Sequence, residues 1–170
     1  MRAEQRRQAI REILHQSRQP ISATALAGRF SVSRQIIVGD IALLRAAGDA
    51  ISATPRGYVV LPESSGLVRQ VACQHTAAEM EAELNAMVDE GCTVRDVIVE
   101  HPVYGQLTGS LQLASRHDVR QFLDRCAISD ARPLSDLTGG IHLHTLSCPD
   151  EAALERVRAA LRAQGVLLEG

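Results

Sequence analysis

The sequence predicts an α+β protein in two modules: an N-terminal winged helix-turn-helix domain over residues 1–62, then an α+β sandwich over residues 67–170. Three observations carry that prediction. Apolar residues recur at helical spacing in three successive stretches, and two short β-type runs around Pro55-Arg56-Gly57 follow them. A stretch bearing Pro, Ser and Gly, "LPESSGL" at 61–67, then breaks the pattern and reads as a linker. Beyond it, strand-type and amphipathic helix-type runs alternate in the order β-α-β-β-α-β-α-β.

The first helix, over 3–16, carries Ile10, Ile13 and Leu14 on one stripe and ends before Pro20. Ser22 is placed to cap a short second helix, "ATALAGRF", with Leu26, Ala27 and Phe30 inward. After a tight break at Ser31-Val32, Ser33 caps a third helix, "RQIIVGDIALLRAAG". Its buried stripe is Ile37, Ile41 and Leu44, and Gly48 supplies the left-handed stop. Two helices joined by a short turn form a helix-turn-helix, whose second helix must project a polar first turn into the DNA major groove. Arg34, Gln35, Val38 and Gly39 lie away from the apolar stripe. Arg34 suits guanine and Gln35 adenine, while Ser33 and the helix N-terminus suit phosphate. "ISATPRGYVVL", 51–61, is a hairpin with a basic tip, a wing that places Arg56 near the DNA backbone or minor groove. Gly39 is unusual, because glycine inside a helix costs about 1 kcal/mol against alanine.

In the second module, strands are expected at 67–75, 93–105, 106–115 and 141–148, with a last short strand, "VLLE", at the end. Helices are expected at 76–91, 115–127 and 149–165, packed on one sheet face and leaving the other as the face to which histidines could point.

Composition narrows the function. Of 170 residues, 45% are hydrophobic and only 2% aromatic, so the cores must be aliphatic, and a base-stacking single-strand binder is disfavoured. The net charge of −2 conceals an asymmetry: Met1 to Arg45 holds Arg2, Arg6, Arg7, Arg11, Arg18, Arg29, Arg34 and Arg45 against Glu4, Glu12 and Asp40. A basic module joined to an acidic one is the pattern of a DNA reader carrying a sensing or assembly domain. The charged start, the lack of a bilayer-length apolar run and four scattered cysteines point to a cytoplasmic protein with free thiols and no membrane partner.

His142 and His144 alternate with Ile141, Leu143 and Thr145 in "GGIHLHTLSCP" and so share one strand face. His75 precedes a helix rich in glutamate, and His101 lies in "VEHPVYG". Imidazoles with a carboxylate suit zinc, nickel or iron; the bland reading is a polar sheet face. If His75 itself began the helix, Glu79 at i+4 would be the nearer acid. His15 and His117 read as solvated surface residues.

"VSRQIIVGDIALLRAAG", "EHPVYGQLTGSL" and "PLSDLTGGIHLHTL" together resemble the nicotinate-responsive transcriptional repressors of NAD biosynthesis. These join a biotin-repressor-like helix-turn-helix to a three-histidine domain. The resemblance implies a homodimer that binds double-stranded operator DNA of niacin uptake, salvage or NAD biosynthesis genes, with nicotinic acid as co-repressor. It implies a divalent metal (nickel, zinc or iron) held by His75, Glu83, His142 and His144, with His101 and Tyr104 lining the effector pocket. A metal-dependent sensor of another pathway, or a metal-dependent hydrolase fused to a DNA-binding domain, is the competing reading. No nucleophile turn or phosphate-binding glycine loop supports an enzyme.

Overall fold

The computed structural model describes residues 1–61 and 66–169, which divide into two compact units, Met1–Glu63 and Ser64–Gly170. Most of the expected linker, 61–67, therefore lies outside the described residues.

In the first unit, α1 (Ala3–Gln16), α2 (Ala23–Phe30) and α3 (Arg34–Ala46) precede an antiparallel hairpin of β1 (Ile51–Thr54) and β2 (Gly57–Val60). Ser22 Oγ accepts from Ala25 N–H and Ser33 Oγ from Ile36 N–H, which satisfies one free donor at the start of each helix. Ile10, Leu14, Leu26, Ile37, Ile41 and Leu44 meet in an aliphatic core. Gly57 has φ 133°, and a Cβ there would lie 2.4 Å from the Ile21 carbonyl carbon. Only glycine fits that approach. It lets Tyr58 exchange main-chain hydrogen bonds of 2.9 Å with Ile21, tying the wing to the α1–α2 connection.

Part of the basic charge is spent internally. Arg6 Nε lies 2.5 Å from the buried Asp40 carboxylate and Arg7 3.6 Å from it, while Arg11 holds Asp49 at 2.8 Å. These pairs clamp α1 to α3 and its C-terminal turn, so Arg6, Arg7 and Arg11 act as struts.

The second unit carries a four-stranded antiparallel sheet of β3 (Leu67–Gln74), β4 (Thr93–His101), β5 (Gly105–Leu113) and β6 (Ile141–Cys148) in the order β3-β6-β4-β5. The helices are α4 (Met80–Asp89), α5 (Arg116–Ser129) and α6 (Glu151–Ala163). Leu84, Met87, Val119, Leu154, Val157 and Leu161 from these helices pack with Val71, Val94, Leu113 and Leu146 from the sheet. The α+β class and the covering of one sheet face agree with the sequence reading.

Three differences have physical causes. The expected 93–105 strand stops at His101, because Pro102 cannot donate to the ladder and the chain turns through 102–104. The expected helix at 76–91 starts with a 3-10 turn, Ala77–Glu79, before α4. "VLLE" contributes a single bridge, Cys73 to Leu167, in place of a strand. Among the described residues no helix is long and apolar enough to cross a membrane.

Gly39 lies on the exposed side of α3, and a Cβ there would have nothing within 4 Å. Gly39→Ala is therefore expected to stabilise the first unit by about 0.5–1 kcal/mol, read as a raised urea midpoint at unchanged m. A destabilised variant would mean that the helix needs glycine at this point.

Candidate metal centre and nucleic-acid interface

β3 runs antiparallel to β6 with Cys73 opposite His142 and Val71 opposite His144. Along β6 the buried residues are His142, His144, Leu146 and Cys148. The histidines thus share the face of Leu146, under the helices. They do not point to the uncovered face, where the sequence pattern had allowed them. Alternation fixes which residues share a face, and the parity with Leu146 and Cys148 decides which face it is.

α4 lowers Glu83 onto this row. Its carboxylate meets three imidazoles: Nε2 of His75 at 2.5 Å, of His142 at 2.7 Å and of His144 at 2.8 Å. The side chains of all four are at most 4% exposed. The rings are stacked edge to face, with centroids 4.7 Å apart for His75–His142 and 4.8 Å for His142–His144. Glu79 stays exposed and caps its own turn, accepting from the Thr76 N–H at 2.9 Å and from the Thr76 hydroxyl. His75 does not begin the helix, so the i, i+4 phase that would have favoured Glu79 is lost in the 3-10 turn.

The second ring nitrogens decide the chemistry. Nδ1 of His75 donates to the Thr76 carbonyl at 2.6 Å, that of His142 to Gly140 at 2.8 Å and that of His144 to Asp96 at 2.7 Å. A carbonyl only accepts, so each Nδ1 carries a proton. In a neutral ring Nε2 then presents a lone pair to the carboxylate, which repels it. Three imidazolium rings would remove the repulsion but leave two buried positive charges beyond the single negative one. That is costly in an apolar interior. A divalent cation among the three Nε2 atoms and the carboxylate turns the same lone pairs into ligands. Main-chain carbonyls orienting ligand histidines through their far nitrogens are the usual outer shell of such sites. The donor set fits a nitrogen- and oxygen-ligated divalent transition metal.

Without a cation, burial opposes the charged form of Glu83. Hydrogen bonds from His142, His144 and His75 outweigh it and hold the carboxyl well below its ordinary range. Burial also opposes the His75 imidazolium, but the Glu83 hydrogen bond and charge prevail, and the ring is raised above its ordinary value.

Two further residues build the centre and escaped the sequence reading. Gly140, at φ 92°, accepts from both the His75 N–H and the His142 ring through its carbonyl, and a Cβ on it would lie 2.3 Å from the His75 oxygen. The register of β4 against both neighbours shifts beyond Val94, near Asp96, whose carbonyl accepts from His144. The "GG" before the strand was the only sequence signal of either.

His101 and Tyr104 sit where β4 turns into β5. Because β3 and β4 both run antiparallel to β6, this turn, His75 and the start of β6 occupy one end of the sheet. His101 Nδ1 accepts from the Val103 and Tyr104 N–H groups at 3.0 and 3.1 Å, leaving Nε2–H as a donor. Tyr104 is 75% exposed, and its ring centroid lies 5.0 Å from that of His101. These residues do not touch Glu83's cluster through any hydrogen bond among the described residues. His15 and His117 are exposed.

In the first unit, Arg34, Gln35 and Gly39 are exposed on α3, Val38 is half-buried and Ser33 caps the helix. Arg34 has no ion-pair partner among the described residues. Arg56, half-buried in the wing turn, donates its N–H to Thr54 Oγ1 at 3.2 Å. Ile36, 43% exposed in the first turn of α3, was not singled out in the sequence. It offers an apolar surface of the kind that meets a thymine methyl.

Residues 68–170 match the family model described as the 3H domain, and residues 6–59 match an HTH domain. The chain is 44% identical over 166 residues to "Probable transcription repressor NiaR" of Thermotoga maritima, covering 98% of this chain and 95% of the relative. The chain belongs to the 3H-domain family of transcription repressors. Transcription repressor NadR of Bacillus subtilis is 42% identical over 160 residues, 92% of this repressor and 89% of the relative. Both relatives are named as repressors rather than enzymes, which sets the hydrolase reading aside. In this 3H repressor the helix-turn-helix is the DNA-binding module, and the imidazole cluster lies in the 3H domain.

Proposed function

We propose that this repressor senses nicotinic acid through a divalent metal centre and controls genes of NAD biosynthesis or niacin uptake. The single observation that carries the reading is the convergence of three Nδ1-protonated imidazoles on the buried Glu83 carboxylate, in a chain whose other unit is a helix-turn-helix. His75, Glu83, His142 and His144 hold nickel, zinc or iron. The metal supplies a Lewis-acidic position for a small anionic heterocycle. His101, with Nε2–H as donor, and the exposed Tyr104 ring line the pocket for that ligand at the same end of the sheet. The 3H domain, residues 67–170, also forms the homodimer. Residues 1–62 read the operator through Ser33, Arg34, Gln35, Val38 and Gly39, with Arg56 on the backbone.

Sensing requires that nicotinate bind one arrangement of the dimer better than another. The readout is the spacing of two recognition helices, which must meet half-sites about 34 Å apart or a multiple of it. With metal-loaded protein and a promoter fragment of a niacin-related gene, nicotinic acid is expected to raise affinity about 5–150-fold in a gel-shift titration. Nicotinamide and quinolinic acid serve as comparison ligands. His142→Ala is expected to keep basal DNA binding and lose the response. A full response in that variant would separate sensing from the metal.

A further inference from the structure

We infer that the Cys73 thiolate is a fifth protein ligand of the metal, beside His75, Glu83, His142 and His144; this rests on the metal-centre reading above. Cys73 lies directly opposite His142 in the β3–β6 register and two residues before His75, on the helix-covered face. It is 0% exposed. Its Sγ, a Glu83 oxygen and a His142 ring nitrogen all lie within 4.8 Å of one another, the span of donor atoms around a single ion.

Charge argues the same way. A divalent ion with three neutral imidazoles and one carboxylate leaves one positive charge in a buried site. A thiolate makes the centre neutral, the arrangement a dry interior favours. On binding, the Sγ–H bond breaks, the proton leaves to solvent and a sulfur–metal bond forms, with no electron transferred. The consequence is selectivity. A set of three imidazoles, one carboxylate and one thiolate favours nickel, cobalt or zinc over magnesium or manganese. On an octahedral ion it leaves one position for an exogenous donor.

Cobalt(II) separates the possibilities. The full-length protein is stripped with chelator and titrated with cobalt(II) while its absorption is recorded. Ligand-field bands report that the ion is held, and a near-ultraviolet thiolate-to-cobalt charge-transfer band reports sulfur. The expected result is both signals saturating together at one cobalt per chain. Cys73→Ser is expected to keep the ligand-field bands, lose the charge-transfer band and bind about 10-fold more weakly or worse. Cys92, Cys126 and Cys148 remain in that variant, so the loss is specific to Cys73. Ligand-field bands without a charge-transfer band in the unmutated protein would overturn the inference and leave the histidine–glutamate centre standing. No ligand-field bands at all would overturn both.

Discussion

Glu83→Ala is expected to weaken divalent-metal binding at least about 100-fold, since loss of an outer-sphere partner alone costs 10–100-fold and the proposed centre puts Glu83 in the inner shell. Isothermal titration with nickel or zinc measures it. The stability effect follows by linkage. Metal at a hundredfold excess over its dissociation constant stabilises the folded protein by about 2.7 kcal/mol, or roughly 10–20 °C in Tm for a unit of this size. That increment should vanish in the variant. Chelator-treated Glu83→Ala should be about 1–3 kcal/mol less stable than the chelator-treated parent. The cost stays below that of breaking a buried arginine pair, because the His75 imidazole, unlike a guanidinium, can shed its proton once the carboxylate is gone. An unaltered metal isotherm would remove Glu83 from the centre.

The pH dependence sharpens the same prediction. In chelator-treated protein His75 is raised above its ordinary 6.5, so its contribution is complete below that pH and fades as pH rises through the raised value. Glu83 is depressed below its ordinary 4.5, so its contribution is present above that pH and fades as pH falls toward the folded value. The cluster is therefore most stabilising between 4.5 and 6.5 when no metal is added. Metal binding needs unprotonated Nε2 atoms and strengthens in the other direction. The metal-induced rise in Tm should grow between about pH 6 and pH 8. In Glu83→Ala both trends should flatten. A metal increment that shrinks with rising pH would contradict the assignment of Nε2 as the ligand atom.

What could be read in the sequence, and what could not, divides along physical lines. Local chemistry was legible: Ser22 and Ser33 cap where their spacing to the apolar stripes placed them, and α2 and β6 have the expected bounds. Non-local pairing was not. The order β3-β6-β4-β5 brings the fourth strand of the sheet between the first and second, and no local signal encodes that crossover. It is this order that sets Cys73 against His142 and the Asp96 carbonyl against His144. Glu83 came from the family resemblance, whereas helix periodicity from His75 pointed to Glu79. The intervening 3-10 turn reset the phase. Cys73 was legible in principle, two residues from His75 on the same strand face, but in isolation it read as a small buried thiol. The arginine count at the N-terminus overstated the charge available for DNA, because Asp40 and Asp49 hold Arg6, Arg7 and Arg11.

That internal pairing makes the remaining arginines of the first unit decisive, and Arg34 should show it most. Its side chain leaves the first turn of α3, exposed and unpaired among the described residues. A guanidinium there can meet guanine O6 and N7 together, worth about 1–3 kcal/mol of discrimination. Arg34→Ala is therefore expected to weaken operator binding about 5–150-fold and to relax preference at one base pair per half-site, while affinity for unrelated duplex changes little. Arg56→Ala, in the wing turn, should behave differently. It should weaken specific and unrelated duplexes alike and reduce the salt slope by about 1, as loss of a phosphate contact does. Asp40→Ala provides the contrast. It frees Arg6 and Arg7 electrostatically but removes the clamp between α1 and α3, so stability should fall before affinity rises. Fluorescence anisotropy at three salt concentrations, on operator and scrambled duplexes, distinguishes these cases. Equal losses for Arg34→Ala on both duplexes would mean that α3 reads the backbone alone. Specificity would then have to come from the shape of the DNA or from neighbours such as Gln35 and Ile36.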